Sequence, residues 1–291
     1  MRFGTYQLGH KTSACAILGS YVYDLAQAFF KHYRRPYKFV DLLAFLQADG
    51  PEKLAGVELG RLKEDRTVCL PLKEVRLRAP LLRPPKIVCV GLNYRDHAAE
   101  QKKDPPSAPL LFAKAANVVI GDGDAIRIPR GVSEKIDYEI ELAVVIGRGG
   151  LRISKTEAPA HVFGYTVFND VTARDIQQGD KQWFRGKSFD TFAPMGPVVV
   201  GADELKPDRL KIELSVNGRQ QQNGTTADMI FNVPAIIEYA SACFPLEVGD
   251  VIATGTPSGV GVFRTPPVFL KKGDEVEAKI EGIGVLRNPV E

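Results

Sequence analysis

Beyond residue 85 the chain is a succession of short apolar, β-branched runs, each closed by glycine, asparagine or aspartate. KIVCVG (86–91), DYEIELAVVIG (137–147), VFGYTVFND (162–170), PVVVG (197–201), KIELSVNG (211–218), DVIATG (250–255) and DEVEAKIEGIGVL (274–286) each predict a strand. Val216-Asn217-Gly218-Arg219 carries a type I′ hairpin signal. Helical spacing is scarce, confined to 94–103 and to Val233–Cys243 behind Asn232 as its cap. Residues 1–70 predict a small α+β unit, with strands near 17–26 and an amphipathic helix around 39–48. Pro71, Pro80, Pro84 and Pro85 argue against continuous helix and mark 71–85 as a connector, so the body spans 86–291. The expected class is α+β and mostly β, a curled mixed sheet or barrel-like fold and not a doubly wound one.

Composition narrows the partners. Hydrophobic residues make up 44% and charged residues 25%, which are globular values. Lysine and arginine number 38 against 35 acidic residues, so no global field favours nucleic acid. The basic stretch 31–38 is expected to be a solvated face. No apolar run approaches the roughly 20 residues needed to cross a bilayer, and the first residues lack a signal-peptide layout. Cys15, Cys69, Cys89 and Cys243 are scattered and form no CxxC pair. They point to free thiols in a reducing compartment, and a soluble cytoplasmic protein is expected.

The chemistry is concentrated in a few residues. In DYEIELAVVIG, Glu139 and Glu141 stand two apart, so a strand projects both carboxylates from one face. That is either a solvated strand face or a pair of hard oxygen ligands. Asp170 ends the VFGYTVF strand, where an acid is often a turn or cap residue. Beside the two glutamates it would complete a three-carboxylate site suited to Mg²⁺ or Mn²⁺ and, lacking histidine and cysteine, not to zinc. His97 precedes Glu100 by three, which on a helix sets imidazole against carboxylate as a general base requires. An ordinary surface pair has the same spacing. Lys187 lies between glycine and serine in RGKSF, where it could hold a carboxylate, stabilise an oxyanion or remain an exposed lysine. TGTPSGVG (254–261) is a glycine loop able to approach a small anion, but it is not a P-loop.

Together and in this order, VGLNYRDHAAE, DYEIELAVVIG, FNDVTARDIQ, GKSFDTFAPMGP, VNG…QQQNGTTADMIF and GDVIATGTPSGVG resemble the fumarylacetoacetate hydrolase family over about residues 84–288. The resemblance implies a mixed β-sandwich roll, a homodimer, and one Mg²⁺ or Mn²⁺ held by Glu139, Glu141 and Asp170. It implies that Lys187 is the active-site lysine and that Arg174 and Gln177 lie near the substrate. Thr256, with Gly255, matches the substrate-binding glycine loop. His97 and Glu100 resemble the dyad that the acylpyruvase and oxaloacetate-decarboxylase branch carries on a short helical lid. The fourth, more N-terminal aspartate ligand of fumarylacetoacetase itself has no clear counterpart, and a short segment stands where that enzyme has a large N-terminal domain.

A small 2-oxo acid therefore fits better than fumarylacetoacetate. The reaction expected first is metal-dependent cleavage of a C–C bond in an acylpyruvate-type 2,4-dioxo acid. His97, oriented by Glu100, would activate the water, and the products would be pyruvate and a carboxylic acid. Oxaloacetate decarboxylation and 2-hydroxymuconate-type isomerisation draw on the same electron sink. A catalytically silent, metal-stabilised relative is the alternative of another class, and the intact His97, Glu100 and Lys187 argue against it.

Overall fold

The computed structural model describes residues 1–291. A twelve-stranded mixed sheet runs through the strands Cys69–Pro71, Tyr21–Asp24, Lys11–Leu18, Arg2–Leu8, Ala193–Gly201, Val162–Asn169, Ile140–Ile146, Val251–Ala253, Ile87–Gly91 and Leu110–Lys114. Two short strands join it off that path. A second, four-stranded antiparallel sheet, ordered Arg219–Thr225, Lys211–Val216, Glu275–Ile280 and Gly284–Pro289, packs against its middle.

The strand Ile140–Ile146 explains the layering. All seven of its residues are buried, because both faces are covered. Ile140, Leu142 and Val144 join Ile212, Leu214 and Ala278 between the two sheets. Ala143 and Val145 point the other way, into a core shared with Leu42, Phe45 and Phe29 of the N-terminal helices. A strand buried on both faces reads as a continuous apolar run, and that is the composition found after Glu141.

Residues 1–70 supply the strands Arg2–Leu8, Lys11–Leu18 and Tyr21–Asp24 and the helices Leu25–Tyr33, Leu42–Leu46 and Gly50–Leu54. Asp24 ends the third strand and caps the first helix, its side chain accepting the Gln27 N–H at 2.9 Å. This unit shares its sheet with the body. Arg2 pairs with Val200 and Phe3 with Val199, and within the connector the strand Arg76–Arg78 pairs back onto Arg2–Leu8. Asn217 and Gly218 both take positive φ, as the type I′ hairpin requires. The segment 274–286, expected as one strand, is two, because the chain turns at Gly282 with φ +78°. The strand expected over 137–147 is interrupted at Tyr138 and Glu139, and the helix expected over 94–103 is shortened to Arg95–Glu100.

Candidate active site

The ends of the two central strands place the acids. Glu141 is the second residue of Ile140–Ile146, Glu139 immediately precedes that strand, and Asp170 follows Val162–Asn169. The strand ends are tied together: the Glu139 N–H donates to Asn169 Oδ1 at 3.0 Å, and the Asp170 N–H donates to the Glu139 carbonyl at 2.8 Å. The three carboxylates are buried and offer oxygens within 4.8 Å of one another. The solvated-face reading of Glu139 and Glu141 is thereby set aside.

Three buried cations surround the acids. Lys187, at the end of the helix Trp183–Lys187, donates to Glu139 Oε2 at 2.8 Å and also to Asp170. Lys114 donates to Asp170 Oδ1 at 2.5 Å and to the Val171 carbonyl at 3.1 Å. Arg174 places Nε 2.8 Å from Asp137 Oδ2 and Nη2 2.6 Å from Glu139 Oε1, and its Nη1 donates to Gln177 at 3.1 Å. Burial disfavours the charge on Lys187, but Asp170 and Glu139 outweigh it and hold the group above the ordinary lysine range. With these two carboxylates as its partners, Lys187 is held as an ammonium donor in the metal-free site. Burial likewise opposes ionisation of Glu139, yet the Lys187 and Arg174 charges keep it below the ordinary carboxylate range.

Glu141 differs. No cation reaches it, and its one hydrogen bond comes from the Gly255 N–H at 2.8 Å. Burial, followed by the charges of Asp170 and Glu139, pushes it well above the usual carboxylate value. A third carboxylate that the buried lysines and arginine do not neutralise is what a divalent cation would satisfy. The donors are all hard oxygens, as Mg²⁺ and Mn²⁺ prefer. The residues therefore fit such an ion.

The third component is the short helix Arg95–Glu100. His97 is buried, and its Nδ1 lies 2.6 Å from Glu100 Oε1. A carboxylate only accepts, so Nδ1 carries the proton. Nε2 is 2.8 Å from the Gln101 amide nitrogen. This helix is fastened to the glycine loop by its acids. Glu100 Oε2 accepts the Gly259 N–H at 2.9 Å, and Asp96 Oδ2 accepts the Ser258 N–H at 3.0 Å and its hydroxyl at 2.7 Å. Gly259 has φ +101°, and a Cβ there would lie 2.3 Å from the Gln221 carbonyl, so the loop requires glycine at that point.

These parts enclose one cavity of about 260 Å³. His97, Glu139, Glu141, Arg174, Gln177, Lys187 and Thr256 all line it. The Thr256 hydroxyl is held by the Gln222 amide at 2.7 Å. Gly255, expected at the substrate, lies behind the wall instead, because its N–H is committed to Glu141. Glu100 and Asp170 are not part of the lining: Glu100 contacts His97, and Asp170 contacts Lys187 and Lys114 while offering an oxygen within 4.8 Å of those of Glu139 and Glu141.

Sequence reasoning missed several residues. Lys114 resembles any lysine at a strand end, and only its register opposite Ile87 buries it. Asp137 accepts from Arg174 and from the Gly261 and Val262 N–H groups at 2.7 and 3.0 Å, joining the arginine to the glycine loop. Its only sequence signal was its place two residues before Glu139. Phe112 and Trp183, with ring centroids 5.1 Å apart, and Phe263, 6.2 Å from the His97 ring, are aromatic lining residues that no motif announced.

Residues 86–291 match the family described as Fumarylacetoacetate (FAA) hydrolase C-terminal. The chain belongs to the fumarylacetoacetate hydrolase family. It is 52% identical over 223 residues to the oxaloacetate tautomerase YisK of Bacillus subtilis (strain 168), covering 75% of this chain and 74% of that one. It is 50% identical over 224 residues to the mitochondrial oxaloacetate tautomerase FAHD2A of Homo sapiens, covering 76% and 71%. A fumarylacetoacetate hydrolase from psychrophilic Exiguobacterium antarcticum matches with a TM-score of 0.85 at 36% identity, over 100% of this chain and 99% of that one. A 5-carboxymethyl-2-hydroxymuconate delta-isomerase from Mycobacterium smegmatis matches with a TM-score of 0.78 at 33% identity, over 100% and 99%. The structural likeness extends through the first 70 residues, beyond the segment that the fumarylacetoacetate hydrolase family description covers. No helix is long and apolar enough to cross a membrane. FAHD2A is mitochondrial by name, so family membership does not carry the cytoplasmic expectation.

Proposed function

We propose that this protein is a divalent-metal-dependent tautomerase of small 2-oxo acids, with oxaloacetate the substrate class, interconverting keto and enol forms. The observation that carries this reading is the position of His97. Its Glu100-oriented imidazole lines the same cavity as the acidic triad, Lys187 and Thr256. The names of relatives about half identical to this chain support it.

Mg²⁺ or Mn²⁺ would be held by Glu139, Glu141 and Asp170, and when bound it supplies Lewis-acid polarisation of a 2-oxo group. The protein's own residues do the rest. Lys187 commits two of its three N–H donors to Glu139 and Asp170, and the third is available to negative charge developing on the 2-oxo oxygen. Thr256 and the Arg174–Gln177 pair, which line the cavity, would orient a carboxylate. His97, its Nδ1–H held by Glu100, accepts the C3 proton at Nε2 once Gln101 releases that nitrogen. The proton then passes to the 2-oxo oxygen, which becomes the enol hydroxyl.

The acylpyruvate hydrolysis expected from the sequence remains the second reading. The same dyad can activate water, and the adjacent rings of Phe112 and Trp183 can receive an apolar acyl group. Dimerisation, implied by the resemblance, belongs to the proposal too and is measured by light scattering. The deciding experiment follows enol-oxaloacetate absorbance and, in parallel, pyruvate release from acylpyruvates and from oxaloacetate, each with and without EDTA. Chelator-sensitive loss of the enol band without pyruvate release is expected. Chelator-sensitive pyruvate release from acylpyruvates would move the assignment to hydrolysis, and release from oxaloacetate would move it to decarboxylation. No chelator-sensitive reaction at all would leave only the silent relative.

A further inference from the structure

The cavity has three lining cations, and two of them are already engaged. Arg174 is paired with Asp137 and Glu139, and Lys187 with Glu139 and Asp170. Lys103 also lines the cavity, and its ammonium makes neither an ion pair nor a hydrogen bond. It belongs to none of the motifs that carry the family resemblance, and the reaction steps above do not use it.

The backbone holds Lys103 at that place. The helix Arg95–Glu100 ends in a Schellman motif: Lys102 takes the left-handed conformation at φ 55°, its N–H donates to the Ala99 carbonyl at 2.9 Å, and the Lys103 N–H donates to the Ala98 carbonyl at 3.0 Å. That turn reverses the chain directly after the base-carrying helix and brings Lys103 to the cavity beside Gln101. The Gln178 amide lines the same cavity, and no carboxylate of the protein pairs with the Lys103 ammonium.

A free ammonium lining a cavity is a receptor for a carboxylate. The substrate's 1-carboxylate and 2-oxo group are provided for by Thr256, Arg174, Lys187 and the triad. A second carboxylate is what distinguishes oxaloacetate from pyruvate. We propose that Lys103 is a specificity-determining residue that binds the distal carboxylate of a dicarboxylic 2-oxo acid, so that acids with an uncharged tail bind more weakly. This inference rests on the proposed function for its choice of substrate, but its test does not depend on turnover.

Trp183 is the only tryptophan and lines the cavity, so its emission reports binding directly. Wild-type protein and the variants K103M and K103R, all in Mg²⁺ buffer, are titrated with oxaloacetate and with pyruvate, and emission is recorded within seconds of mixing. In K103M the oxaloacetate Kd should rise about tenfold while the pyruvate Kd changes less than twofold. K103R should restore most of the difference, and raising the salt concentration should narrow it in wild type. Equal weakening of both ligands, or of neither, would overturn the proposal. If wild-type protein bound oxaloacetate in a Lys103-dependent way but did not tautomerise it, the catalytic reading would fail and the Lys103 assignment would stand.

Discussion

Glu100 holds His97 with one carboxylate oxygen and the glycine loop with the other: Oε1 lies 2.6 Å from Nδ1, and Oε2 accepts the Gly259 N–H at 2.9 Å. One side chain thus sets both the tautomer of the base and the distance between the lid and the loop that carries Thr256. His97→Ala should lower kcat by about 10²- to 10⁴-fold, the usual contribution of a general base. Glu100→Gln should cost less, since the base survives, but it should raise KM as well by releasing the loop. Steady-state rates on enol-oxaloacetate check both. A His97→Ala variant turning over at the wild-type rate would remove the dyad from the mechanism.

Glu141→Ala should abolish Mn²⁺ binding, measured by calorimetry or by the EPR signal of free Mn²⁺, and His97→Ala should leave it intact. The triad places Glu141 beside two acids already paired with lysine and arginine, so its loss removes the charge that the buried cations do not offset. Equal Mn²⁺ affinity in Glu141→Ala and wild type would mean the ion is held elsewhere.

Burial and the charges of Asp170 and Glu139 hold Glu141 well above the ordinary carboxylate range. In the metal-free fold it therefore keeps a proton that the unfolded chain gives up near its usual pKa. The folded state binds more protons, so metal-free stability should fall as pH rises from the ordinary carboxylate range toward the raised value. The ion requires the ionised form, so metal affinity should climb over the same window with release of a proton. Calorimetry in buffers of different ionisation enthalpy counts that proton, and thermal unfolding with and without Mg²⁺ reads the stability slope. A flat slope without metal would refute the raised value.

Asp96 receives two donors from Ser258, at 3.0 and 2.7 Å. Asp96→Ala should remove a contact of about 1.5–3 kcal/mol, typical for bonds to a charged group. The helix should then detach more often, lowering kcat and speeding tryptic cleavage after the exposed Lys102 and Lys103. Unchanged cleavage kinetics would show that Glu100 alone fastens the lid.

The site was more legible than the frame around it. The triad could be read because period-two spacing in DYEIEL is a local property that survives even though the ladder starts only at Ile140. The His97–Glu100 pair could be read because one helical turn determines its contact. Lys114 and Asp137 could not, since each acquires its role from a partner far along the chain, Asp170 in one case and Gly261 in the other. The hairpin at Gly282 was hidden for a related reason: its apolar alternation continues through the turn, and nothing local marks the reversal except a glycine. The sharing of one sheet by the first 70 residues and the body depends on Arg2 meeting Val200, a separation no window along the sequence spans.

That last pairing sets an order of events during synthesis. The strand Ala193–Gly201, which completes the hydrogen bonding of Arg2–Leu8, leaves the ribosome nearly two hundred residues after it. At about 5–20 residues per second the wait is roughly 10 to 40 s. Through that interval Arg2 and Phe3 lack their strand partner, and an unpaired strand edge is a template for strand addition by a neighbouring chain. A chain halted before residue 193 would keep that edge unpaired, so the strand Arg2–Leu8 needs protection until Ala193–Gly201 has been made.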